Sequence, residues 1–232
     1  MQTQICRLFL LIPLLLPLLL QSQNTYKQPP QDVTSIVLAA PTPISSTRPT
    51  NEAIMLVDTN PNPGIATLAQ PILRLAGLRI NPALNSRQNT TEYTGATIRW
   101  LALNKTVSIQ IPGSGKLAGV PQWSPDGGKI AFGLETAKGV ELWVADCRTG
   151  QSRRIGDVYV NDVLGTGFGW LKDGKTIAAR IIPPGRGQAP APPAVPSGPV
   201  IEETTPGKLA QVRTYQDLLE NAADEALFED YA

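Results

Sequence analysis

Gly169 to Thr176, "GWLKDGKT", satisfies the phosphate-loop pattern G-x-x-x-x-G-K-[ST] at every position. In such a loop the backbone N–H groups of a Gly-rich turn face phosphate oxygens. The lysine then reaches the phosphates and the hydroxyl holds magnesium. The chemistry also needs a helix directly after the loop, whose N-terminus receives the phosphate. Here the residues after Lys175 read "TIAARII", a β-branched run closed by Pro183 and Pro184. The sequence therefore predicts a hairpin turn at Gly174-Lys175-Thr176 and no nucleotide site. "GSGKLAG", Gly113 to Gly119, fails as a dinucleotide fingerprint in a similar way. Pro112 and Pro121 flank it, and no helical period follows.

The chain has no histidine. That excludes Ser-His-Asp and Cys-His catalysis, histidine-ligated zinc and the commonest general base. Cys6 and Cys147 are the only thiols, too few for a four-thiolate metal site. What remains for acid–base work is a set of carboxylates, of which Asp126, Asp146 and Asp173 stand out. Each lies in a turn sequence, where an aspartate ordinarily accepts hydrogen bonds from its own backbone. No catalytic residue, metal ligand or cofactor-binding residue is assigned. A formal net charge of +1 gives no bulk attraction to nucleic acid.

The elements that would carry these residues are short strands. Twenty-two prolines and twenty glycines suit strands joined by frequent turns. Residues 1–25 read as an export signal: Arg7 precedes the apolar run Leu8 to Leu20, which contains two prolines. As a helix this run would span roughly 20 Å, short of a hydrocarbon core of about 30 Å. A periplasmic or secreted protein is the expectation, with an N-terminal membrane anchor as the alternative. Removal of the signal would leave Cys147 without an intrachain disulfide partner.

Residues 26–52 are polar and proline-bearing and read as a flexible linker. Apolar runs then recur at Ile54 to Val57, Leu73 to Leu78, Ile98 to Leu103 and Val107 to Ile111, each bounded by turn residues. "WSPDGGKIA" from Trp123 and "WLKDGKTIA" from Trp170 are two copies of one strand–turn–strand unit, 47 residues apart. Proline and Asp-Gly suit the turn. Between the copies, Val140, Leu142 and Val144 alternate with Glu141, Trp143 and Ala145, the pattern of a packed strand. A repeat in the forties with about four short strands per copy is the signature of a β-propeller blade. The fold expected is therefore mainly β. It is an incomplete β-propeller over 53–182, with two clear blade units and one or two weaker ones before Gly115.

A Pro-rich excursion follows at 183–200, then an acidic segment at 201–232. From Glu202 onward there are eight acids and two bases, leaving +7 on residues 1–201. Thr214 and Asp217 are spaced as a helix N-cap. Leu218, Leu219, Ala222, Ala223, Leu227, Phe228 and Tyr231 follow at helical spacing, so a C-terminal amphipathic helix is expected. Its apolar stripe has no evident sequence neighbour to cover it.

At "LAGLRINPALNS", "TGATIRWL", "PQWSPDGGKIAF", "LWVADCRTGQ", "QVRTYQDLL" and "ALFEDYA" the chain resembles the N-terminal propeller of prolyl-oligopeptidase-type serine peptidases. The similarity is nearest to the glutamyl endopeptidase branch known from chloroplasts and bacteria, and it covers residues 53–232. The resemblance implies a propeller that gates peptide access to an α/β-hydrolase domain holding the catalytic triad. These 232 residues contain neither a G-x-S-x-G elbow nor a histidine, so no triad residue carries over. The chain is then expected to be the non-catalytic N-terminal piece of an exported serine peptidase, inactive alone, whose partner is a missing catalytic domain or another peptide or protein. Two alternatives stand beside it: a TolB-like periplasmic protein-binding module, and an enzyme using Asp126, Asp146 or Asp173.

Overall fold

The computed structural model describes residues 27–113, 115–191 and 216–232. The expected export signal, the second half of the Pro-rich excursion and residues 201–215, Thr214 among them, lie outside the described residues. The chain divides into a unit ending at Ala40 and a second from Pro41 onward. In the first, Gln31–Val37 forms helix α1, which buries none of its residues. Among the described residues no helix is long and apolar enough to cross a membrane.

The second unit is built of antiparallel sheets. Strands β1 (Ile44–Thr47), β2 (Ala53–Asn60), β6 (Glu92–Trp100) and β7 (Lys105–Ser108) form a four-stranded sheet in that order. A second sheet runs β8 (Gln122–Trp123), β9 (Lys129–Thr136), β10 (Gly139–Asp146) and β11 (Ser152–Val160) in chain order. A third pairs β12 (Phe168–Trp170) with β13 (Ile177–Ala179). This is the expected incomplete propeller: mainly β, with four-stranded blades and a C-terminal helix. The two repeat copies share one register, since Trp123 pairs with Ile130 and Trp170 with Ile177.

Two-residue periodicity explains why the second sheet is buried on both faces. Ile130, Phe132, Leu134 and Ala145 pack with Met55, Val57, Ile98 and Trp100 of the first sheet. Val140, Leu142 and Val160, from the opposite face, pack against Phe168 and Ile177 of the third. Trp123 and Trp143 lie against the first of these cores.

Two sequence expectations are corrected within these sheets. Residues 26–52 are not all linker, because Ile44–Thr47 is a strand in register with Ile54–Val57. Its "ISST" carries little apolar signal, and the strand exists because β2 offers it a partner edge. The run Leu73 to Leu78 is not one strand but the two arms of a hairpin. Ala76 and Gly77 take φ of 50° and 73°, the double left-handed turn that matches the twist of paired strands. The hairpin joins β3 (Leu73–Leu75) to β4 (Leu78–Asn81), and β5 (Ser86–Arg87) completes a three-stranded sheet inserted between β2 and β6. A short helix α2 (Ile65–Leu68) precedes it.

That insertion also corrects the reading of the C-terminal helix. Helix α3 spans Ala222–Tyr231 and starts at Asn221, whose side chain accepts from the N–H groups of Ala223 and Asp224. Asp217, at φ 59°, lies before the helix, as do Leu218 and Leu219. The apolar stripe is covered: Tyr231, Leu227 and Phe228 pack with Leu75, Ile80 and Val163. Side chains satisfy the last-turn carbonyls, which have no partner inside the helix. Asn85 and Asn161 donate to Tyr231 O at 3.1 and 2.8 Å, and Arg186 donates to Asp230 O at 3.0 Å.

Candidate functional site

The stretch with the phosphate-loop pattern is a hairpin turn between β12 and β13. The Asp173 carboxylate accepts from the backbone N–H groups of Lys175 and Thr176, both at 2.9 Å, and from the Thr176 hydroxyl at 2.6 Å. The donors that would cradle a phosphate are thus spent on the chain's own carboxylate, and a strand follows instead of a helix. In the Gly113–Gly119 stretch, Leu117 forms single β-bridges with Tyr93 and Leu134.

The other turn aspartates behave alike. Asp126 accepts from the Ser124 hydroxyl at 2.6 Å and the Gly128 N–H at 3.0 Å, and these bonds hold its carboxyl below the usual range. Asp146 is pushed up by partial burial, yet accepts from the Thr149 and Arg148 N–H groups, each at 2.9 Å. The net direction is down. Asp173 is also lowered, chiefly by the Thr176 hydroxyl. A carboxylate held ionised by its own turn is a weak proton acceptor, so the three serve as turn locks. Cys147 is buried, and desolvation pushes its thiol up to about 12, which leaves it unreactive.

The structure brings together other polar residues that carry no motif. Glu92 pairs with Lys116 and accepts from the Thr67 hydroxyl at 2.8 Å and the Asn60 amide at 3.1 Å. The Lys116 bond is the main reason its carboxyl is lowered. Glu135 also lines this small polar recess, and burial raises its carboxyl against the pull of Lys116.

Beside this recess lies a cavity of about 330 Å³, walled by Tyr93, Val140, Val160 and Phe168 and bearing Arg87 and Asp162. Burial, and then the charge of Glu135, push the Asp162 carboxyl up to about 7. Sequence reasoning missed Glu135 and Asp162 because long-range packing sets their environment. The one available signal is an acid directly after the apolar run Ile130 to Leu134. Among the described residues, no group of three or more His, Cys, Asp or Glu is placed to hold a metal ion.

Comparison with known proteins adds kinship to this geometry. No family model matches the chain. It is 36% identical over 221 residues to "Probable glutamyl endopeptidase, chloroplastic" of Arabidopsis thaliana, covering 89% of this chain and 23% of that protein. The protein of the same name from Oryza sativa subsp. japonica is 33% identical over 220 residues, with the same coverage. The chain thus spans about a quarter of the length of the curated relatives it matches. Among solved structures, the β-propeller domain of the Trilobed protease from Pyrococcus furiosus aligns over 60% of this chain and 33% of its own, at 22% identity and a TM-score of 0.32. The Pyrococcus horikoshii acylaminoacyl peptidase aligns over 58% of this chain and 16% of its own, at 20% identity and the same TM-score.

Proposed function

We infer that this chain, a propeller akin to part of the glutamyl endopeptidases, is the non-catalytic N-terminal portion of a serine peptidase of that kind. Its role is to gate which peptides reach an α/β-hydrolase catalytic domain. The observation that carries the reading is the 36% identity over 221 residues, which runs through nearly all the strands described above. The absence of histidine from these 232 residues supports a non-catalytic role, since a serine nucleophile needs a base to take its proton. The apolar run behind Arg7 supports export to the periplasm or beyond.

The test supplies the catalytic part of the Arabidopsis relative with and without this chain. Turnover is measured on a short Glu-containing peptide and on a folded protein. This chain alone is expected to cleave neither. Added to the catalytic part, it should spare the folded protein while leaving the short peptide a substrate. Cleavage by this chain alone, abolished by a serine-directed reagent, would sink the non-catalytic reading. Equal cleavage of both substrates with and without the chain would remove the gating role.

A further inference from the structure

The sheet inserted between β2 and β6 has two unlike faces. Leu73, Leu75, Leu78 and Ile80 share one apolar cluster with Phe228 and Tyr231 of helix α3. Side chains alternate along a strand, so Arg74 and Arg79 stand on the opposite face. They are direct partners across the hairpin. Gln88 N–H donates to Arg79 O at 2.9 Å, which turns the Arg79 backbone toward β5. Arg74 and Arg79 are thus a non-hydrogen-bonded pair, the arrangement that brings side chains closest. Both are exposed, and neither forms an ion pair among the described residues. Asp217 meets the hairpin at Gly77, but through its carbonyl rather than its carboxylate. Like charges so placed cost stability, and an anionic partner would recover it.

Helix α2 lies along the same face. Gln88 extends the row of Arg74 and Arg79 across the sheet, and its Nε2 donates to Thr67 O at 3.2 Å. Asn81, two residues along β4 from Arg79, donates to Gln70 Oε1 at 2.7 Å. On either side of Thr67, Ile65 is 85% and Leu68 57% exposed. Two uncompensated cations beside apolar side chains in water are the features of a surface that rests on an anionic bilayer. Arginines meet headgroup phosphates there, and apolar side chains enter the acyl boundary. A soluble acidic polypeptide would use the arginines alone and give Ile65 and Leu68 no cover. We propose that Arg74, Arg79, Ile65 and Leu68 form a docking surface for an anionic lipid bilayer. This docking needs no spanning helix and does not depend on the peptidase reading.

The experiment is hydrogen exchange of the full chain with vesicles of phosphatidylcholine alone and of an equal mixture with phosphatidylglycerol. Exchange at the amides of 65–80 should slow at least about threefold on the mixed vesicles, and high salt should reverse the effect. Phosphatidylcholine alone should leave these amides unchanged. The local readout holds whether or not the apolar run Leu8 to Leu20 also enters the bilayer. Arg74→Gln with Arg79→Gln should lose the slowing yet melt no lower than the parent, because a repulsion is removed. Ile65→Ser with Leu68→Ser should lose most of it. If these variants fail to fold, the lipid and salt contrasts in the parent decide the matter. Unchanged exchange on the mixed vesicles, equal slowing on both lipids, or undiminished slowing in either folded double variant overturns the proposal. Equal slowing by soluble polyglutamate would overturn it as well, and would give the surface to acidic polypeptides.

Discussion

The indole of Trp170 donates its N–H to the carbonyl of Gln122 across 3.2 Å, joining the third sheet to the first strand of the second. The other repeat copy uses the same device one sheet earlier, where Trp123 donates to Ser46 O at 3.4 Å. The repeated tryptophan is therefore a stitch between consecutive blades. Trp170→Phe keeps the ring and removes the bond, and should cost about 1 kcal/mol in a urea titration. Trp123→Phe should cost less, because its bond is longer. Equal stability of Trp170→Phe and the parent would reduce the indole to packing alone.

The turn glycines of the repeat should not be equivalent. Gly127 and Gly174 share the left-handed conformation, with φ of 66° and 65°. A Cβ on Gly127 would meet Arg48 Nε at 2.6 Å, whereas one on Gly174 would meet nothing nearer than Asp126 at 3.5 Å. Arg48 is held there by donating its Nε–H to Gly127 O at 2.8 Å and by pairing with Glu52. Gly174→Ala should therefore cost about 1 kcal/mol for the backbone alone. Gly127→Ala should cost roughly 2 to 3 kcal/mol, since the buried guanidinium must also move. Thermal melts of the two variants side by side make the comparison.

Stability should fall with rising pH through the Asp162 titration. The unfolded chain gives up this proton near the ordinary value of 3.8, while the folded chain keeps it until about 7. Between those values the folded state binds more protons, so stability declines as pH rises. Asp162→Asn removes the part of the dependence due to this carboxyl and leaves that of Glu135, which burial also raises. Parent and variant should be alike near pH 4, and the variant should be the more stable near pH 8 by roughly 2 to 4 kcal/mol. A parallel pair of urea-midpoint curves across that range would contradict the assignment.

Helix α3 should be released by loss of a single amide. Asn85 sits in the left-handed region at φ 52°, is 2% exposed, donates to Tyr231 O and accepts from Arg186. Asn85→Ala removes both bonds and should cost about 2 kcal/mol. Hydrogen exchange should accelerate selectively at the amides of 225–231 while the strands of the second sheet keep their protection. Uniform acceleration throughout would show that the helix and sheets open together.

ATP titrated into the chain should give no heat of binding, because Asp173 already occupies the donors of the pattern-matching turn. Asp173→Ala should lower the melting temperature without creating a nucleotide site.

The strand–turn–strand repeat was legible because each copy carries its own local chemistry. Proline, aspartate and glycine specify the turn, and the flanking alternation specifies two packed strands. The turn role of Asp126, Asp146 and Asp173 followed from the same local logic. The first blade was only partly legible, since the insertion containing β3 to β5 separates β2 from β6 and destroys any period. Strand β1 was hidden because "ISST" becomes a strand only beside Ile54–Val57. The cover for Phe228 and Tyr231, and the environment of Asp162, depend on residues brought together from far along the chain. No local pattern encodes such meetings.

Asn85 and Tyr231 are 146 residues apart in sequence, and their bond sets a timetable for synthesis. A ribosome adding about 5–20 residues per second needs roughly 7 to 30 s to travel between them. Throughout that interval Leu75 and Ile80 have emerged while Leu227, Phe228 and Tyr231, which will cover them, have not. The nascent chain thus carries a transient greasy patch whose lifetime translation speed controls. Slower decoding between these positions lengthens its exposure to chaperones and to neighbouring nascent chains alike.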